Sequence, residues 1–194
     1  MIEGLRGTSI LTANLSEYRR KLRDSPWVGD VALRRVLPST VEVFVSERRP
    51  VGLCRLGTML YLIDRHGTVI DEFGPQYAEF DLPIIDGLVR APSNGGPAID
   101  RGRAELAARV IDALAARHDL ARAVSQIDVS DSRDAIVLLD REAARLHLGA
   151  DRFLERLQSY VDLAPTLHER MGDMEYVDLR FDERLYVRPG SARR

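Results

Sequence analysis

The sequence predicts an α+β fold with mainly antiparallel strand pairing. Three observations predict it: runs patterned with period two outnumber helical runs, most of them follow one another across turn-sized gaps, and only three stretches carry an amphipathic helical period. With 194 residues the chain is long enough for one large core or two small ones without disulfides. A composition of 45% apolar and 30% charged residues, with a formal net charge of −2, is that of an ordinary globular protein. It gives no chain-wide pull toward nucleic acid or anionic membrane.

The elements follow in order. Residues 14–24, NLSEYRRKLRD, place Leu15, Tyr18 and Leu22 at i, i+3 and i+7, which predicts a short amphipathic helix ended by Pro26. Its basic cluster, Arg19 to Arg23, reads as a solvated helix face rather than a nucleic-acid footprint. The period then changes to two. Val31 and Leu33 alternate with Ala32 and Arg34, and Val41, Val43 and Val45 alternate with Glu42, Phe44 and Ser46, predicting two strands around a turn at LPST.

The stretch TMLYLIDRHGTVIDEF is the clearest hairpin, with Gly67 in its turn free to take a positive φ. Residues 80–100 are dense in proline and glycine and read as an irregular connection ending in a surface loop at PSNGGP. Asp100 is a good N-cap for a helix to about His118, with Leu106, Val110, Ile111 and Leu114 on one face. Short strands at AVSQIDVS, DAIVLLD and ARLHLG follow. A further helix starts near Asp151, turns Phe153, Leu154, Leu157 and Val161 inward, and continues brokenly past Pro165 to Met171. The last run, EYVDLRFDERLYVR, returns to period two: Val177, Leu179 and Phe181 face one way, Tyr176, Asp178 and Arg180 the other.

Catalytic and metal chemistry find no support in these residues. The single cysteine, Cys54, excludes an internal disulfide and a Cys-rich metal site, and its apolar neighbours suit a buried strand residue. None of His66, His118, His147 and His168 has a second ligand at metal-motif spacing, and there is neither a P-loop nor a G-x-S-x-G. Adjacent acids such as Asp71 with Glu72 and Asp182 with Glu183 point apart on a strand. The expectation is no enzyme, no metal and no cofactor. A hydrolase with dispersed catalytic residues would instead gather titratable groups in a deep pocket. No stretch approaches the ~20 apolar residues a membrane span needs, so the chain as given is expected to be soluble.

What the chain offers is an edge. RLYVR is followed only by a short polar tail, so no later segment can pair with it. A rim strand must be blunted or used. Arg184 and Arg188 discourage indiscriminate pairing, while Leu185, Tyr186 and Val187 keep the strand attractive to a chosen partner.

Four segments, SPWVGDVALRRVLPSTVEVFVSERRPVGL, YLIDRHGTVIDEF, LPIIDG and YVDLRF, together resemble in order and spacing the bacterial cell-division family FtsQ, called DivIB in many Gram-positive bacteria. The likeness runs from about Gly7 to Arg188. It implies a single-pass protein of the cell inner membrane, with a short cytoplasmic tail, one transmembrane helix, a periplasmic POTRA domain and a larger β domain. On this chain the tail and membrane helix are missing. Residues 1–50 would be a POTRA-like domain lacking its first strand and helix, residues 51–190 a mainly antiparallel β domain with two flanking helices, and residues 191–194 a polar tail.

The resemblance implies a non-enzymatic scaffold that links and recruits divisome proteins during septum formation, above all FtsB and FtsL, and that uses no cofactor. In the family, FtsB is held by strand addition at the last strand of the β domain. By position this assigns partner binding to Tyr176, Arg180, Phe181, Glu183, Leu185, Tyr186 and Val187, with Arg180 and Phe181 as side-chain anchors. Glu47 and Pro50, in SERRPVG, match the family's recruitment surface. They also suit a structural role, with Pro50 ending a strand and Glu47 pairing with Arg35 or Arg48. The alternative for the whole chain is another periplasmic POTRA-type module that handles polypeptides.

Overall fold

The computed structural model describes residue 7 and residues 9–90, 98–181 and 184–190. Helix α1 (Leu15–Arg23) starts where expected, with the Asn14 side chain accepting a hydrogen bond from the Glu17 amide as N-cap. Strands β1 (Val28–Val36) and β2 (Thr40–Glu47) form a separate antiparallel pair in which Val31 faces Val45 and Leu33 faces Val43. Val31 is buried, but Phe44 and Val45 are both exposed. The expected inward face of β2 therefore stops at Val43. α1 is only nine residues long and packs on β1, leaving both faces of the end of β2 open.

Among the described residues that follow, nine strands build one mixed sheet. Strands β3 (Pro50–Leu56), β4 (Met59–Asp64) and β5 (Val69–Glu72) form a meander whose second turn holds Gly67 at a φ of +74°. A Cβ on Gly67 would also come within 2.8 Å of the Ala104 side chain, so both backbone and space call for glycine there. Asp64 organises this turn by accepting from the amides of His66 and Thr68, each at 2.8 Å. It also ties the two sheets together through Arg48, whose Nη1 is 2.6 Å from Asp64 Oδ2.

LPIIDG departs from expectation. Strand β6 (Ile84–Asp86) lies inside the sheet, parallel to both β3 and the later strand β9 (Val124–Asp131). Three residues are too few for periodicity to register, and the flanking Pro83 and Gly87 hide the strand in a turn-rich composition. Strands β7 (Val89–Arg90) and β8 (Ala98–Ile99) then form a two-residue pair. The expected PSNGGP loop lies outside the described residues.

Helix α2 (Arg101–Leu114) begins at its Asp100 cap but ends before His118. A second helix, α3 (His118–Ala123), takes a new direction and buries Leu120 against the start of β9. Arg117, at the break, is clamped to Asp119 in the first turn of α3 by two bonds of 3.0 and 2.7 Å. Strands β10 (Asp134–Leu139) and β11 (Arg145–Gly149) follow, then helix α4 (Phe153–Met171). α4 runs unbroken through Pro165, which is exposed, while Tyr160 and Ala164 before it and Leu167 after it stay on the core side. Three helices thus flank the sheet rather than two.

The final run is two strands. β12 (Met174–Asp178) pairs parallel with β11, and β13 (Tyr186–Pro189) folds back antiparallel onto β12. The sheet order is β13-β12-β11-β10-β9-β6-β3-β4-β5. Antiparallel pairs outnumber parallel ones, as the α+β expectation requires. The helices cover one face, enclosing Ile85, Ile127, Val137, Leu146, Leu157 and Val177; burying each such side chain contributes about 1.5–3 kcal/mol. Cys54 is among them, and burial, with Asp86 nearby, pushes its thiol up to about 11. On the opposite face Leu53, Leu62 and Ile70 pack with Trp27, whose ring stands 5.6 Å from that of Tyr77.

Candidate partner-binding edge

The sequence YVDLR has a direct structural reading. Alternation on β12 sends Val177 into the core, with Leu179 buried just beyond the strand, and turns Tyr176 and Asp178 to the helix-free face. Asp178 is only 4% exposed, and a buried carboxylate needs partners. Arg180 supplies three: its amide and Nε donate to Asp178 Oδ1 at 3.0 and 2.9 Å, and its Nη2 to Oδ2 at 2.6 Å. The Tyr176 hydroxyl donates to the same Oδ2 at 3.0 Å. Burial alone would raise the Asp178 pKa, but the bonds from Arg180 and Tyr176 outweigh it and hold the carboxyl at about 2.

The network reaches two more strands. Arg180 Nη1 donates to Asp134 Oδ2 at 3.1 Å, His147 Nδ1 stands 2.7 Å from that oxygen, and the Gly149 amide donates to Asp134 Oδ1 at 2.9 Å. The His147 and Tyr176 rings are 4.4 Å apart, and the Arg188 guanidinium of β13 sits over the Tyr176 ring at 5.4 Å. Hydrogen bonding to Asp178 raises the Arg180 pKa, so its charge is fixed. Arg180 is therefore committed to two buried acids, with 40% of its side chain still exposed. Asp134 and His147 escaped the sequence reading because no local spacing links β10 and β11 to a residue beyond β12.

Phe181 corrects another expectation. β12 ends at Asp178 and the chain turns, so Phe181 leaves the inward face of Val177 and Leu179 and is 53% exposed. Its ring meets that of Tyr186, itself 49% exposed, edge-on at 5.2 Å. Leu185 and Val187 are half-buried against the core. Beside them a cleft of about 320 Å³ is lined by the apolar Leu163, Leu179, Phe181 and Leu185 together with the charged Arg152, Glu155, Arg156 and Arg184. Glu183 lies outside the described residues.

The other two predicted site residues are elsewhere. Glu47 ends β2, and Pro50 begins β3 rather than ending a strand; five strands separate β3 from β13. Neither expected partner of Glu47 is available. Arg35 donates to the carbonyls of Ile10 and Ala13, and Arg48 pairs with Asp64.

β13 borders β12 on one side only, and among the described residues no strand pairs with its other side. Among the described residues, too, no group of three or more His, Cys, Asp or Glu is placed to hold a metal ion, and no helix is long and apolar enough to cross a membrane.

Comparison with known proteins gives a consistent set. The C-terminal region of cell division protein FtsQ/DivIB matches residues 53–180, and the FtsQ-type POTRA domain matches residues 1–48. The cell division protein FtsQ of Koribacter versatilis is 27% identical over 186 residues, covering 94% of this chain and 53% of that protein. That of Allochromatium vinosum is 32% identical over 190 residues, covering 97% of this chain and 68% of that protein. The chain thus spans between about half and two thirds of the length of these relatives. A solved structure of the major extracytoplasmic domain of DivIB from Geobacillus stearothermophilus shows a slight likeness, with 16% identity, a TM-score of 0.38, and coverage of 64% of this chain and 97% of that one.

Proposed function

Because this chain belongs to the FtsQ/DivIB cell-division family, we propose that it acts in the divisome as a non-enzymatic scaffold that receives an extended segment of FtsB or FtsL by strand addition at the outer edge of β13. The observation that carries this reading is that, among the described residues, no strand pairs with the outer side of β13 at the rim of the sheet. A strand laid there would take its affinity from backbone hydrogen bonds and its specificity from the side chains beside them.

Each predicted residue has a part in this reading. Leu185, Tyr186 and Val187 form the receiving edge, with Glu183 leading into it. Phe181 anchors, since its exposed ring and that of Tyr186 make a rigid apolar platform of the kind that dominates interface energetics. Tyr176 and Arg180 act from behind, holding β12 and β13 in place through Asp178 and Arg188. Arg184, Arg188 and Pro189 blunt the edge against unselected strands. Glu47 and Pro50 would form a second recruitment surface where the two sheets meet. The reading places residues 1–50 as the POTRA-like part and 51–190 as the β domain, both periplasmic and tethered to the inner membrane by sequence outside this chain.

The test is a pull-down of the organism's FtsB by the purified chain. Phe181→Ala, or Leu185→Pro to delete one edge donor, should abolish capture while circular dichroism stays near native. Capture that survives both changes would refute the site.

A further inference from the structure

The bonding on the inner side of β13 decides which of its backbone groups face outward. Just beyond β12 the Leu179 amide donates to the His147 carbonyl of β11 at 3.0 Å. Residues alternate along a strand, so Leu179 and Val177 turn their N–H and C=O groups toward β11, while Tyr176 and Asp178 turn theirs toward β13. Arg188 lies opposite Tyr176 and Tyr186 opposite Asp178, which makes Arg188 and Tyr186 the inward residues of β13. The Gly190 amide, two residues beyond Arg188, also points inward and donates to the Asp173 carbonyl at 2.7 Å. The irregularity in this pairing inserts Glu175 into β12 and leaves the alternation of β13 intact. Val187 and Pro189 are therefore the outward residues, and Leu185 continues that set just before the strand.

We infer that Pro189 is a register stop that selects which segment the edge accepts. Val187 and Leu185 each offer an outward donor and acceptor. Pro189 offers only its carbonyl, and its ring fills the space where an N–H would point. An incoming antiparallel strand can form full two-bond pairs at Val187 and Leu185 and must end or diverge at Pro189. The inference rests on the strand-addition reading and narrows it.

It also specifies the partner's chemistry. Residues bonded to Val187 and Leu185 would place their side chains, two positions apart, on the helix side of the sheet. There they meet Val187 and the apolar part of the cleft lining, Leu163, Leu179 and Leu185. The residue between them falls beside Tyr186 on the other face. The fitting partner is a short extended segment with apolar side chains at i and i+2, centred on residues 185–187 rather than running on past Pro189.

Amide hydrogen exchange read by NMR on the full chain, with the soluble C-terminal segment of the organism's FtsB as probe, tests this. Binding should slow exchange at Val187 and Leu185 by at least about tenfold and leave the already bonded Tyr186 and Arg188 unchanged. In Pro189→Ala, a change at an exposed position, the new amide at residue 189 should slow by a comparable factor as the ladder extends. If Val187 slows but the new amide at 189 exchanges as in the free variant, Pro189 is not the stop, though strand addition stands. Slowing at Tyr186 and Arg188 in place of Val187 would overturn the outward assignment. Binding that slows no amide of β13 would overturn strand addition itself.

Discussion

Arg180 follows Asp134 by 46 residues in the chain, yet its Nη1 stands 3.1 Å from Asp134 Oδ2. The same guanidinium grips Asp178, so one side chain joins the start of β10 to the end of β12. Removing it leaves two buried carboxylates short of partners. Arg180→Ala should lower unfolding stability by about 1–3 kcal/mol in urea titration. Arg180→Lys should recover only part of this, because an ammonium cannot reproduce the paired bonds to Asp178.

The same network makes stability fall in acid. The Asp178 carboxyl is held at about 2, against 3.8 for the free side chain. Between these values the unfolded chain binds more protons than the folded one, so the stabilisation is complete above about 3.8 and is lost as pH falls through about 2. Asp64, where hydrogen bonds from Thr68, Arg48 and His66 outweigh the upward push of burial, shifts in the same direction. Asp178→Asn should flatten the decline in unfolding free energy below pH 4, roughly where free carboxyls titrate. An unchanged acid profile would show that the bonds to Asp178 do not persist in solution.

Tyr160 offers a test of the core. It is fully buried on α4, and its hydroxyl donates to Glu142 Oε2 at 2.5 Å. Tyr160→Phe removes that bond alone and should cost about 1 kcal/mol. Tyr160→Ala opens a cavity between α4 and the sheet and should cost roughly 3–5 kcal/mol. Chemical denaturation of both variants checks the ratio.

Gly87 tests the strand that sequence patterning missed. It follows β6 with a φ of +80°, and a Cβ there would lie 2.4 Å from the Ser130 amide nitrogen of β9. Gly87→Ala should therefore destabilise the fold by more than the ~1 kcal/mol typical of an open positive-φ glycine. Thermal unfolding against Gly57→Ala, which meets nothing within 4 Å, supplies the comparison.

What the sequence revealed and what it hid divide along local and non-local lines. The cap at Asp100, the apolar stripe of α1 and the hairpin around Gly67 were readable because each is written in a few adjacent residues. β6 was hidden because three residues carry no period, and its identity as a strand comes from β3 and β9 on either side. The reversal between β12 and β13 was hidden because its connection, around Phe181 and Leu185, contains neither glycine nor proline. Among the described residues β13 lies at the rim of the sheet. The bonds of Arg180 to Asp134 and Asp178 were hidden because only the assembled sheet brings the three together.

If a partner strand bonds to the outward groups of β13, Val187→Pro removes one donor that it needs. Val187 turns its amide away from β12, so the proline removes an intermolecular donor and no internal one. Calorimetric titration with the soluble segment of FtsB should show the dissociation constant raised at least about tenfold, a loss of some 1.4 kcal/mol or more, with the circular dichroism of the free chain near native. Binding at wild-type affinity by a folded Val187→Pro chain would rule out strand addition at Val187.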